Sequence, residues 1–176
     1  MSNDLLQRME DGIAWWENEL EKHSAADLLK GYNEQSWTLG QVYSHVIMSA
    51  AFFFKMGRRC FEAERNDGPL TDDGVELFKT DSFPPIKITV PERYAHVPRQ
   101  PENFDELRKG LALNRTMARA LAEQLPDMDP DRRLEHAIFG WINAEQWFRV
   151  AILHFLHHRR QKGWIDEALQ KDASLS

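Results

Sequence analysis

The sequence predicts an all-α protein, a four-helix bundle with a long crossover between its second and third helices. Two observations predict it. Apolar residues recur at steps of three and four along four separate stretches, which draws one stripe down each helix. Cap pairs mark where three of those stretches begin. No segment shows the alternation of a strand.

The first helix is expected from about Asn3 to His23, where Leu5, Leu6, Met9, Ile13, Trp16 and Leu20 share a face. The second opens on Thr38 with Gln41 three residues on, a spacing that lets each side chain bond the other's backbone N–H. Trp37 and Val42 are placed to staple that start. The helix runs through Val42, His45, Val46, Ser49, Phe52, Phe53 and Met56 to about Glu64, where Asn66-Asp67-Gly68-Pro69 stops it.

Between Gly68 and Pro101, prolines 69, 84, 85, 91, 98 and 101 forbid a long helix. This crossover is expected to be ordered by packing of Leu77, Phe78, Phe83, Ile86 and Ile88, and long connections of this kind often serve as lids. Asn103 with Glu106 opens the third helix as a further cap pair. It proceeds through Leu107, Leu111, Leu113, Met117, Leu121 and Leu125 to Pro126. A loop follows through Asp127-Met128-Asp129-Pro130 and Leu134 to Trp141. Asn143 with Gln146 caps the fourth helix, with Ile142 and Trp147 as staple. That helix is expected to reach roughly Ala168 and to leave Lys171–Ser176 frayed. No repeat or low-complexity tract interrupts residues 1–176, which read as one domain.

Composition narrows the function. With 22 basic and 28 acidic residues the net charge is −6, which argues against nucleic acid, since phosphate binding needs a basic stripe. The nearest basic cluster, Arg159-Arg160 with Lys162, reads as a favourable interaction with the end of a helix dipole. The single cysteine, Cys60, permits no internal disulfide and reads as a half-buried helix residue. Met1-Ser2-Asn3-Asp4 lacks a basic region and an apolar signal core. The longest nearly apolar run, Val46 to Phe54, falls far short of a membrane span. A cytoplasmic protein with no membrane contact is the expectation.

Chemistry concentrates in His154-Phe155-Leu156-His157-His158-Arg159-Arg160-Gln161. Residues four apart lie one above the other on a helix, so His154 and His158 can aim at one point. The competing pair, His154 with His157, uses the i, i+3 spacing; His158 continues the apolar stripe of Trp147, Val150 and Ala151 better. His45, mid-helix among Val42, Val46 and Phe52, can supply a third imidazole from another helix. Three imidazoles with an open fourth position suit one divalent ion, zinc or nickel. A hydrogen-bonded core histidine is the ordinary alternative at each position. Gln161, His157 and Glu145 are candidates to orient a ligand imidazole through its other nitrogen. A site closed by a fourth protein ligand would draw on His23 or His136.

The stretch Ser36-Trp37-Thr38-Leu39-Gly40-Gln41-Val42-Tyr43-Ser44-His45 resembles the second-helix motif of the DinB/YfiT-like superfamily. His136 to Trp147 resembles that family's lead into its last helix. His154 to Gln161 matches its His-x-x-x-His-Arg-x-Gln signature, and the likeness spans Asn3 to about Asp166. The resemblance implies a four-helix bundle with a trihistidine metal site at His45, His154 and His158. It implies a metal-dependent transferase, or a hydrolase, acting on a small-molecule substrate. Characterised relatives are transferases and isomerases that use low-molecular-weight thiols such as bacillithiol or mycothiol, and homodimers are common among them. The chain departs from the pattern at Arg160, where relatives often carry glycine. A non-catalytic, metal-binding or stress-associated dimeric bundle is the alternative function.

Overall fold

A computed structural model describes residues 2–83 and 97–174 of the chain. Four principal helices form the bundle: α1 (Ser2–Leu20), α2 (Leu39–Cys60), α4 (Phe104–Ala122) and α5 (Ala144–Ser174). A short helix, α3 (Asp72–Thr80), lies in the crossover, and a two-stranded hairpin, β1 (Arg133–His136) with β2 (Gly140–Asn143), precedes α5. Helix α2 packs most extensively against α5 and also meets α4, while α1 lies against α4 and α5.

The predicted stripes form the core. Leu5, Met9, Ile13, Trp16 and Leu20 of α1 are all buried, with Val42, Tyr43, Val46 and Phe54 of α2 and Trp147, Phe148, Val150, Ala151 and Phe155 of α5. Each large apolar side chain so buried contributes roughly 1.5–3 kcal/mol. The polar ends of the aromatic residues are satisfied where three helices meet: the Tyr43 hydroxyl donates to Trp16 O at 3.0 Å, and Trp16 Nε1 donates to Phe155 O at 3.2 Å.

Two of the three caps form as the sequence predicts. Gln41 N donates to Thr38 Oγ1 at 3.2 Å and Thr38 N to Gln41 Oε1 at 2.9 Å. At α5 the same exchange joins Gln146 N to Asn143 Oδ1 at 3.0 Å and Asn143 N to Gln146 Oε1 at 2.9 Å. At α4 only half forms: Glu106 N donates to Asn103 Oδ1, but the Glu106 carboxylate turns to Glu102 N instead. Gly40 is needed for close approach, because a Cβ there would stand 2.9 Å from Leu28 O and 2.8 Å from Pro101 Cδ.

Several boundaries differ from expectation. Helix α1 ends at Leu20, and the next residues tighten into i→i+3 turns, with His23 N bonded to Leu20 O at 3.3 Å. Helix α2 ends at Cys60, and α4 at Ala122, before a single 3₁₀ turn over Leu125–Asp127 carries Pro126. Helix α5 continues to Ser174, beyond Ala168, because no Gly or Pro stands there to stop it.

Helix α3 fits inside the crossover because none of the prolines falls within its nine residues, and Thr71 caps it by accepting from Gly74 N at 3.1 Å. Leu77 is buried, and Phe78 and Phe83 pack against the core. Ile86 and Ile88 lie outside the described residues. The hairpin corrects the expectation of a structureless loop. Its strands are four residues each, paired antiparallel with His136 opposite Gly140, and Gly140 takes a φ of +77° that favours glycine.

The extended α5 also corrects the reading of its basic cluster. Arg159, Arg160 and Lys162 lie mid-helix, away from the carbonyl end. Arg159 lies over Trp15 and Arg160 over Trp164, while Lys162 is buried between Glu19 and Asp166 at 2.7 Å from each. Cys60 is fully buried, and burial pushes its thiol up to about 12, so it is inert as a nucleophile. Among the described residues no helix is long and apolar enough to cross a membrane.

Candidate metal centre

The capping box that starts α2 fixes its register, and His45 follows seven residues after Thr38 on the face turned to α5. The second cap fixes α5, and His154 and His158 follow one turn apart. Across this α2–α5 contact the three rings converge. His154 Nε2 lies 3.1 Å from His45 Nε2 and 3.2 Å from His158 Nε2. One nitrogen from each residue lies within 4.8 Å of the others.

His158 is the other half of the i, i+4 pair; His157 stands outside the cluster, its ring 5.1 Å from that of Phe83. Gln161, one turn beyond His158, places Oε1 2.8 Å from His158 Nδ1. With an oxygen before it, Nδ1 carries the proton, which leaves Nε2 as a lone pair facing the centre. Glu145 lies in the first turn of α5, about two and a half turns before His154. Among the described residues no hydrogen bond joins it to an imidazole.

Burial sets the protonation of the cluster. It holds His154 well below the usual histidine range, with His158 and His45 adding to the effect. Burial likewise brings His158 down to about 3, and His45 reinforces it. His157 is lowered by burial and by Arg160. His154 and His158 are therefore neutral at ordinary pH, the state in which histidine ligates metals.

The donor set fits a divalent ion. Imidazole nitrogens bound to zinc at about 2.0–2.1 Å stand about 3.4 Å apart in a tetrahedron, close to the 3.1 and 3.2 Å seen here. His154 turns Nε2 to the centre, and its Nδ1 is shut off from solvent without a hydrogen-bond partner. Among the described residues no fourth histidine, cysteine or carboxylate joins the group. His23 instead faces Asp166 at 3.4 Å, and His136 Nδ1 accepts from the backbone of Ile138 and Phe139.

The walls are aromatic. Trp37 lies 4.9 Å from the His45 ring, Phe53 5.5 Å and Phe83 6.3 Å from the His154 ring. Phe83 belongs to the crossover, so that connection does reach the centre. Sequence reading missed Phe53 and Phe83 as part of the site. The signal for Phe53 is its place two turns beyond His45; Phe83 has none, since no periodicity runs through the crossover.

The solved structures include a crystal structure described as TT2238, a four-helix bundle protein, to which the chain is similar. The match has a TM-score of 0.57 at 19% identity, over 90% of this chain and 94% of that one. It bears on the fold alone. No curated protein sequence matches. A family profile described as the DinB superfamily matches residues 16–161, a span that holds all three histidines and closes on Gln161. With α2, the crossover and the last-helix signature inside that match, the chain belongs to the DinB superfamily.

Proposed function

We propose that the protein binds one divalent ion, zinc or nickel, through His45, His154 and His158, and that it is a metal-dependent transferase or hydrolase of a small molecule, with a low-molecular-weight thiol as a reactant. The observation that carries this reading is the convergence of three imidazoles from α2 and α5 with no fourth protein ligand among the described residues. A site of that kind leaves a position for a reacting molecule, whereas a structural site is closed. When bound, the ion supplies Lewis acidity, which makes a nucleophile of a thiol or water near neutral pH.

The chain's own residues supply the rest. Gln161 holds the His158 ring in one tautomer and orientation. Trp37, Phe53 and Phe83 keep water from the flanks and offer apolar surface to the substrate. No general acid or base is assigned, since no carboxylate among the described residues joins the centre. We further read the protein as a cytoplasmic homodimer; exposed Met48 and Phe52 on α2 and Leu113 on α4 give it apolar surface to cover, and sedimentation velocity would measure the state.

The test is elemental analysis of tag-free protein beside a His158→Ala variant. The expected result is about one equivalent of metal in the wild type and a severalfold loss in the variant. Equal metal content would remove His158 from the site. A screen for thiol transfer with several cellular thiols then tests the reaction class.

A further inference from the structure

The hairpin before α5 holds one more histidine beside the centre. His136 ends β1, opposite Gly140. Its Nδ1 accepts two backbone N–H groups across the turn, from Ile138 at 3.1 Å and Phe139 at 3.3 Å. A nitrogen that accepts two donors carries no proton, so the ring's proton sits on Nε2. The ring is clamped as well as oriented. It stacks on Phe139 at 4.4 Å and 19°, and it lies 5.0 Å from Trp147 and 5.9 Å from Phe53.

Nε2 has no hydrogen-bond partner among the described residues. The ring is partly buried, and burial takes its pKa down to about 4, so it stays neutral under ordinary conditions. The Phe53 ring that touches His136 also lies 5.5 Å from the His154 ring. Phe83 joins the same shelf, 5.8 Å from Phe139 and 6.3 Å from His154. A short apolar floor thus runs from the trihistidine centre to a fixed N–H donor. A hairpin that holds a donor in one tautomer, with nothing among the described residues to receive the proton, leaves that donor for an acceptor on a bound molecule.

We propose that His136 is a binding residue for the small molecule held at the trihistidine centre, donating from Nε2 to an oxygen or carboxylate of that molecule across the Phe53–Phe83 shelf. The substrate class follows: a molecule with a hydrogen-bond acceptor a few bonds from the end that reacts at the centre. The inference rests on the metal-dependent reading above.

The experiment uses zinc-loaded protein and N-acetylcysteine as probe, with calorimetry for probe and zinc affinity. His136→Asn keeps an acceptor for the two backbone N–H groups but lacks the distal donor. His136→Gln keeps a distal donor but loses the turn acceptor. The expected result is about a tenfold weaker probe affinity in His136→Asn, the loss of one hydrogen bond, with zinc affinity unchanged. His136→Gln should bind the probe more tightly than His136→Asn. In the wild type, ¹⁵N spectra of the imidazoles should show the His136 proton on Nε2, with that signal moving on addition of the probe. Equal probe binding by wild type and His136→Asn, a parallel loss of zinc, or an unmoved Nε2 signal overturns the proposal. Failure of the wild type to bind N-acetylcysteine at all removes the thiol reading of the function, and this inference with it.

Discussion

Helix α5 carries two buried polar clusters a single turn apart, and they are assembled on opposite terms. Around Lys162 every charge has a counterpart. The ammonium, with a side chain only 1% exposed, sits 2.7 Å from Glu19 and 2.7 Å from Asp166, and His23 lies beside Asp166. Burial raises the Glu19 carboxyl, but hydrogen bonds from Lys162 and Lys22 outweigh it and leave its pKa below the usual carboxylate value. Around His154 there is no counterpart. Three like groups meet, burial keeps His154 and His158 unprotonated, and no carboxylate from the described residues joins the group. A cluster of opposite charges forms its ion pairs within the folded chain and ties α1 to α5. An unmatched one is complete only with something added, and that contrast separates a structural knot from a site.

The sharpest way to break the comparison is Lys162→Met. Removing one partner of a buried ion pair leaves Glu19 and Asp166 facing each other, and the loss should be about 3 kcal/mol. For a chain of this size that is a fall in Tm of roughly 6–12 °C. Metal content should stay at that of the wild type. A variant that melts normally but loses metal would merge the two clusters into one.

Next in size is Gln161→Leu, which removes the acceptor for His158 Nδ1 without touching a ligand. Zinc affinity, measured by competition with a chelator, should fall about 10–100-fold, while thermal stability of the metal-free protein changes little. Unchanged affinity would reduce Gln161 to a surface side chain.

The smallest effect is a separation in pH. His158 at about 3 and His136 at about 4 both lie below the ordinary 6.5. Between those values the unfolded chain binds more protons than the folded one, so stability of the metal-free protein falls as pH drops below 6.5. Near pH 5.5 the loss is roughly 1 kcal/mol per histidine, read from denaturant midpoints. The contribution of Glu19, whose pKa is lowered from 4.5, is lost only as pH falls below that value. Midpoints that stay constant from neutral pH down to about 5.5 would place the histidines in solvent.

Much of this architecture was legible in the sequence, and the omissions have physical causes. Long amphipathic stripes such as Leu5–Leu20 leave a periodic record because a whole helix face must be buried at once. The pairs Thr38/Gln41 and Asn143/Gln146 are local, and local hydrogen bonds are readable from spacing. The spacing of His154 and His158 belongs to the same kind. Helix α3 and the hairpin are too short for a period to accumulate; their form is set by distant partners, such as Trp141 N bonding Pro69 O at 3.0 Å. Lys162 was misread because its carboxylates lie on two helices, one of them 143 residues away. Phe83 is at the centre only because the crossover folds back. Glu145 shared a helix with the ligands but lay too many turns away.

X-ray absorption at the zinc or nickel edge of tag-free protein tests the central claim most directly, because scattering from imidazole rings counts them. The account predicts three imidazoles and one further light-atom ligand, with one imidazole lost in His45→Ala. A first shell of sulfur or carboxylate oxygen, or a spectrum that His45→Ala leaves unchanged, would contradict it.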